Sequence, residues 1–523
     1  MATAAQFKIT YTSANADMGE FHRLFDEALA ALKGRLGRDH ALQINGQAVE
    51  SASEPVVDVS PGDTSLVLGR FAGATPEHVD AAVKAARQAQ RGWARTPWPQ
   101  RLQLMRKAAA LIRERKFDLG ALMSLEAGKS RMESLGDAEE AADLIDYYCQ
   151  QFEAAEGFRR QMGRLSPNEN AVSVLRPFGV FACIAPFNFP MALSTGMSAA
   201  ALIAGNAVVY KPSQDTPWTG LRLHEVYRDA GLPPGLFNYL SGKGSVMGDC
   251  LWKHPGVDGV VFTGSKEVGL RMYHEFSRDW CKPCLMELGG KNPAVVTASA
   301  DLDMAAEGIM RSAFSLQGQK CSACSRVYVD RAVADAFLDK LLQKTAAVKI
   351  GDPTQRDVFF GPVINDRAVK TFAESVQAAG RSGRILAGGK RLEAGALARG
   401  RYVAPTVVEL PLDHELFGRE LFVPLLAVGR VDGFDQALAQ CNRTEYGLTA
   451  GIFTKQPEEI ERFFDEVEAG VCYANRRSGA TTGAWPGVQP FCGWKGSGST
   501  GKGGCGPYYV AQFLREQSRT VME

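Results

Sequence analysis

Residues 179–212 read GVFACIAPFNFPMALSTGMSAAALIAGNAVVYKP, and this stretch decides the fold class. GVFACIA is a short apolar run ended by Pro186, which fits a buried strand. TGMSAAALIAG suits a helix and AVVYKP a second strand. TGLRLHEVYRDAG then reads as a helix closed by Gly231. FNYLSG, SVMGDCLWKH, GVVFTG and SKEVGLRMYHEF continue the alternation. Strands separated by helices form β-α-β units, and those units build a parallel sheet.

Working outward, EFHRLFDEALAALKG at 20–34 predicts an amphipathic helix, and 76–150 is mostly helical by its apolar spacing. Downstream a second alternation runs through PAVVT, DMAAEGIMRSAFSLQ, RVYVD and AVADAFLDKLLQKTAAV. It resumes in LLAVGRV, FDQALAQCN, TAGIFT and EEIERFFDEV. Two α/β domains joined near 286 are therefore expected, one from 1–156 with 177–286 and one from 287–495. Residues 157–176 and 496–523 are expected to form a separate oligomerisation segment, with 507–523 outside both cores. YYVAQFLREQSRT there reads as an extended strand of the kind that pairs with a partner subunit.

The chain has 523 residues, more than one compact core holds. Its 59 basic and 58 acidic residues nearly cancel, and no basic run carries interleaved aromatics, so a nucleic-acid partner is not expected. MSAAALIAGNAVVY, the most apolar stretch, is interrupted by Gly205 and Asn206 and is short for a bilayer, so no membrane partner is expected. The opening residues lack a basic-then-apolar pattern. Together with eleven scattered cysteines that read as reduced thiols, this predicts a cytoplasmic protein.

Two cysteine pairs carry the chemistry: CKPC at 281–284 and GQKCSACSR at 318–326. Cys281, Cys284, Cys321 and Cys324 could form a tetrahedral zinc site. However, residues 285–320 separate the pairs by more than the roughly 15–20 typical of such sites and hold a predicted strand and helix. None of the seven histidines pairs at ligand spacing, and no metal is expected. Cys321 instead follows a helix ending in SLQG, where Gly318 allows a sharp turn towards a cleft. The nearest strong carboxylate candidate is Glu287 in MELGGK, at a predicted strand end before two glycines. A thiol and a carboxylate without a nearby histidine suit acyl-enzyme chemistry in which the base acts on water. A buried Cys and a solvated Glu are the plain alternatives. FTGSKEVG at 262–269 puts Gly264 and Ser265 at a helix start, where free amides favour a phosphate. An ordinary strand-to-helix turn would read the same way.

APFNFP, KPS, FTGS, ELGGK, GQKC, ELFVP and NRTEYGLTAGIFT occur in the order of the aldehyde dehydrogenase superfamily. The chain resembles that superfamily from roughly residue 40 to its end. The resemblance implies an α/β fold: a Rossmann-type NAD-binding domain, an α/β catalytic domain and a small β oligomerisation flap in a homo-oligomer. It implies that Cys321 attacks the aldehyde carbon and that Asn188 and the Cys321 amide hold the oxyanion. Glu287 would then activate the water that hydrolyses the thioester. Branches that transfer the acyl group to CoA generally lack that Glu, so hydrolysis is expected. A crystallin-like relative should have lost the nucleophile, whereas Cys321, Glu287 and Asn188 are all present. Lys211, with Ser213 and Gln214, would hold the adenosine ribose, and Gly264 and Ser265 the pyrophosphate. Glu420 would take the nicotinamide ribose and Phe422 the nicotinamide. Gln214 replaces a frequent Glu, which removes repulsion of a 2′-phosphate and predicts NAD with some NADP use.

TTGAWPGVQPF at 481–491 resembles the 1-pyrroline-5-carboxylate dehydrogenases within the superfamily. That likeness implies that Gly483 and Ala484 offer amides to the substrate's α-carboxylate, with Ser322 adding a bond. Phe189 and Phe491 would enclose the aliphatic chain. Trp485-Pro486 and Cys492 depart from that group's usual residues, and the Trp leaves a bulkier or aromatic aldehyde open. Cys324 is a spectator or, under oxidation, a trap for Cys321 as a disulfide.

Overall fold

The structure is a computed structural model that describes residue 10 and residues 18–523. Five parallel strands form the heart of the first sheet, in the spatial order Cys284–Glu287, Gly259–Thr263, Val180–Ile184, Ala207–Lys211 and Phe237–Tyr239. The middle three bury most or all of their residues, as two-faced helical cover demands of a parallel sheet. Leu42–Ile44 and Gln47–Val49 extend it antiparallel at one edge. Chain order reverses between Gly259–Thr263 and Val180–Ile184, so a crevice opens beyond their carboxyl ends.

The helices follow their end signals. Pro217–Ala230 has Pro at its first position and closes on Gly231 at φ 94°. The stretch 76–154 holds four helices: Pro76–Trp93, Trp98–Glu114, Lys116–Ala127 and Arg131–Ala154.

The chain crosses to a second seven-stranded sheet between Glu287 and Asn292. Its order is Arg384–Ala387, Thr406–Glu409, Leu425–Val431, Cys324–Asp330, Asn292–Val296, Thr449–Phe453 and Val471–Ala474, parallel except for the first pair. Three of these strands are four residues long, too short for a clear alternation.

A third, antiparallel sheet joins Arg159–Gln161, Glu169–Pro177 and Leu514–Met522. The last strand is an edge and is exposed beyond Leu514. The C-terminal segment divides between this sheet and the first core. Tyr509, Val510 and Phe513 are buried in the core of the first sheet, because their apolar side chains fill space beside Tyr148 and Phe181. Residues 497–499 lie along Cys284–Glu287: Leu288 N–H donates to Ser497 O at 2.8 Å and Ser499 N–H to Met286 O at 3.2 Å. Among the described residues no helix is long and apolar enough to cross a membrane.

Candidate active site

The site lies where the carboxyl edge of the first sheet meets the amino edge of the second. Contacts across that junction include Phe187 against Phe422 at 5.8 Å and the Asn365 amide donating to Asp215 at 3.2 Å. On the first sheet, Lys211 ends its strand, and its buried ammonium donates to Pro212 O at 3.0 Å. Burial pulls that amine down to about 8, against the Asp215 carboxylate. Ser213 caps a turn through Asp215 N–H at 3.2 Å, and Gln214 points outward, exposed. Gly264 and exposed Ser265 stand at the switch point, at the head of helix Lys266–Phe276, whose N-cap makes no side-chain hydrogen bond. Uncapped amides at a helix start in such a crevice suit a pyrophosphate.

The second sheet brings its groups in ahead of its strands. Glu420 precedes Leu425–Val431 and accepts from Gly290 N–H at 2.9 Å. A Cβ on Gly289 would stand 2.0 Å from Glu420 Oε2, so the ELGGK glycines are what let this carboxylate approach. Burial lifts the Glu420 carboxyl to about 7. Phe422 sits at φ 59°, a strained conformation that turns its ring towards Phe187. These groups and the switch point fit a dinucleotide.

Cys321 precedes Cys324–Asp330 and follows a left-handed run at Leu316 (φ 47°), Gln317 (φ 55°) and Gly318 (φ 67°). Its carbonyl accepts from Asn292 Nδ2 at 2.7 Å, so the loop is pinned from the crossing strand. Burial, with the Glu287 and Glu420 carboxylates adding, pushes its thiol up to about 12. Glu287 is the last residue of its strand, and its Oε2 is buried without a hydrogen-bond partner among the described residues. Burial holds that carboxyl well above the ordinary carboxylate range. A poorly solvated carboxyl close enough to raise the thiol stands where a base for water would. Asn188 is buried in the loop after Val180–Ile184, its carbonyl taken by Lys129 Nζ at 2.7 Å.

The remaining cysteines do not converge. Cys281 is exposed, Cys284 is buried in the first core, and Cys324 is buried in the second with its thiol donating to Arg326 O at 3.6 Å. Among the described residues no group of three or more His, Cys, Asp or Glu is placed to hold a metal ion. Cys492 Sγ donates to Gly470 O at 3.4 Å.

At the substrate end, Arg476 donates to Thr482 O at 2.5 Å and Gly483 O at 2.7 Å. In trans peptides N–H lies opposite C=O, so the Gly483 and Ala484 amides both face away from this guanidinium. Gly483, at φ 90°, makes that turn accessible. Ser322 is buried, and its carbonyl accepts from Thr481 Oγ1 at 2.7 Å. Phe189 and Phe491 are partly buried against the first core. Trp485 donates from its indole to Asp143 at 2.8 Å, which ties the ring to helix Arg131–Ala154.

Several supporting residues escaped the sequence reading. Lys320 pairs with Glu133 at 2.8 Å beside Cys321 and lies 5.7 Å from the Phe189 ring centre. Asn292, Arg476, Lys129 and Asp137 act through pairings 29 or fewer residues apart in some cases and far longer in others, so no local spacing marks them as a set.

The chain matches the aldehyde dehydrogenase family over residues 48–518 and belongs to that family. It is 36% identical over 507 residues to a 1-pyrroline-5-carboxylate dehydrogenase of Geobacillus sp. (strain WCH70), covering 96% of each chain. It is likewise 36% identical over 506 residues to 1-pyrroline-5-carboxylate dehydrogenase 2 of Bacillus subtilis (strain 168), covering 95% of this chain and 96% of that one. Among solved structures it is similar to 1-pyrroline-5-carboxylate dehydrogenase from Thermus with bound NAD, with TM-score 0.93, 34% identity and 99% of each chain covered.

Proposed function

We propose that this enzyme oxidises L-glutamate γ-semialdehyde, the open form of 1-pyrroline-5-carboxylate, to glutamate with NAD as acceptor and some use of NADP. The observation that carries the reaction type is Cys321 held in a strained turn beside the raised carboxyl of Glu287. The relatives' shared activity, over nearly the whole chain, supports the substrate.

The Cys321 thiol gives its proton to water as Sγ adds to the aldehyde carbon, and the oxygen becomes an alkoxide facing the Asn188 side-chain amide and the Cys321 N–H. Preorganised donors of this kind contribute roughly 3 kcal/mol each. Lys211, Ser213, Gly264 and Ser265 would hold the adenosine and pyrophosphate end of NAD, and Glu420 and Phe422 its nicotinamide end, where the cofactor would supply the hydride acceptor for oxidation of the adduct to a thioester. Glu287 takes a proton from water, the water oxygen adds to the thioester carbon, and the C–S bond breaks to release acid and thiol.

The two amides turned away from Arg476 form a nest for the α-carboxylate, and Phe189 and Phe491 flank the carbon chain. The indole tether of Trp485 to Asp143 weighs against a pocket reshaped for aromatic aldehydes. Homo-oligomerisation through the exposed edge Leu514–Met522 and a cytoplasmic location belong to the same reading.

Purified enzyme with NAD and glutamate γ-semialdehyde, followed by NADH absorbance beside propanal, benzaldehyde and succinate semialdehyde, tests it, with Cys321→Ala as blank. The expected result is the highest kcat/KM for glutamate γ-semialdehyde. Preference for benzaldehyde would sink the substrate assignment and leave the mechanism standing.

A further inference from the structure

The loop that carries Asn188 and Phe189 rests on an ion pair with no access to water. Lys129 Nζ stands 3.2 Å from Asp137, and both side chains are 0% exposed. Lys129 also donates to the Asn188 carbonyl at 2.7 Å and lies 3.8 Å from the centre of the Phe189 ring. Asp137 reaches the far end of the same loop, accepting from Ala192 N–H at 2.7 Å where helix Ala192–Ile203 begins. One buried pair therefore clamps the loop at residue 188 and at residue 192. A buried ion pair is a poor source of stability, because desolvation offsets most of its attraction. What it offers here is direction: the cation fixes one carbonyl and one ring face, and the anion fixes a helix start.

We propose that Lys129 and Asp137 are a positioning pair that aims the Asn188 side chain at the forming oxyanion and sets the Phe189 ring against the substrate. The inference rests on the reading of Asn188 as an oxyanion donor. Lys129 touches no reacting atom and acts through the Asn188 backbone.

The test is a double-mutant cycle read by the pre-steady-state NADH burst at saturating NAD and glutamate γ-semialdehyde, with NAD affinity measured separately. Lys129→Met is expected to slow the burst about 10- to 100-fold, the scale of a small misplacement, with NAD affinity changed less than about twofold. Asn188→Ala is expected to slow it about 10²- to 10³-fold. K129M/N188A should be no slower than N188A alone, because removing the donor leaves nothing to aim. If K129M does not fold, Asp137→Asn serves. It keeps an acceptor for the Ala192 N–H, removes the charge, and should slow the burst in the same non-additive way. An unaltered burst in the folded variant, or losses that multiply with N188A, overturns the inference alone. A normal burst in N188A overturns the oxyanion reading itself, and this inference with it.

Discussion

The two sheets contribute to one site from opposite ends of their strands. The first sheet works at its carboxyl edge: Lys211 and Ser265 stand at or just past strand ends in regular strand-to-helix geometry, and Glu287 ends the strand from which the chain crosses to the second sheet. The second works at its amino edge: Cys321 and Glu420 arrive before their strands begin. Strain differs too. Leu316, Gln317 and Phe422, all at positive φ, lie on the second sheet's side of the junction. A parallel sheet builds a cofactor crevice from general topology, with helix starts supplying donors. A nucleophile needs one atom held in one direction, and strained backbone over-determined by its neighbours supplies that.

Changes at the reactive junction should therefore cost turnover, and changes at the cofactor crevice should alter cofactor handling. The largest expected effect is Glu287→Gln, which should lower steady-state turnover by about 10²- to 10⁴-fold. Its NADH burst should persist at one per site, because acylation precedes the water step. In the native enzyme the base must be deprotonated and its pKa is raised, so the rate should climb with pH through a limb well above the ordinary carboxylate range. E287Q should lack that limb. A pH–rate profile checks both, and loss of the burst would move Glu287 to the earlier step.

Gly290→Ala comes next. A Cβ there would stand 2.3 Å from Cys321 O and 2.7 Å from Asn292 Oδ1, so the Cys321 backbone must shift. A displacement of that size should lower kcat about 10²-fold. Its steady-state kinetics, with a thermal melt to show folding, measure it, and normal kcat would mean the Cys321 loop is softer than its contacts suggest.

Smaller effects belong to the cofactor. Glu420 titrates near 7, and its charged form is the better acceptor for ribose hydroxyls. NAD affinity should therefore strengthen as pH rises through about 7, by a fewfold. Glu420→Gln should flatten that dependence in an equilibrium titration. Gln214→Glu should act least on the main reaction: kcat/KM for NADP falls about tenfold relative to NAD through like-charge repulsion. An unchanged ratio would place the 2′-phosphate away from residue 214.

Legibility follows the same line. Val180–Ile184, Ala207–Lys211 and Gly259–Thr263 were readable because buried parallel strands are unbroken apolar runs with helices between. Within 351–420, the strands Arg384–Ala387 and Thr406–Glu409 are four residues each, too short to show an alternation. Tyr509 and Phe513 enter the first core from a terminal stretch of mixed residues, which does not announce which core it joins.

The α/β class, the candidate nucleophile Cys321 and candidate base Glu287, and the ordered motifs that carry family membership are all legible along the chain. Such features are local: a run, a turn, a short motif. Only the tertiary structure decided what supports them. Lys129 meets Asn188 across 59 positions, and Trp485 meets Asp143 across 342. The environments that move Glu287, Glu420 and Cys321 away from their ordinary pKa values are made by burial, and burial exists only after distant segments have packed together.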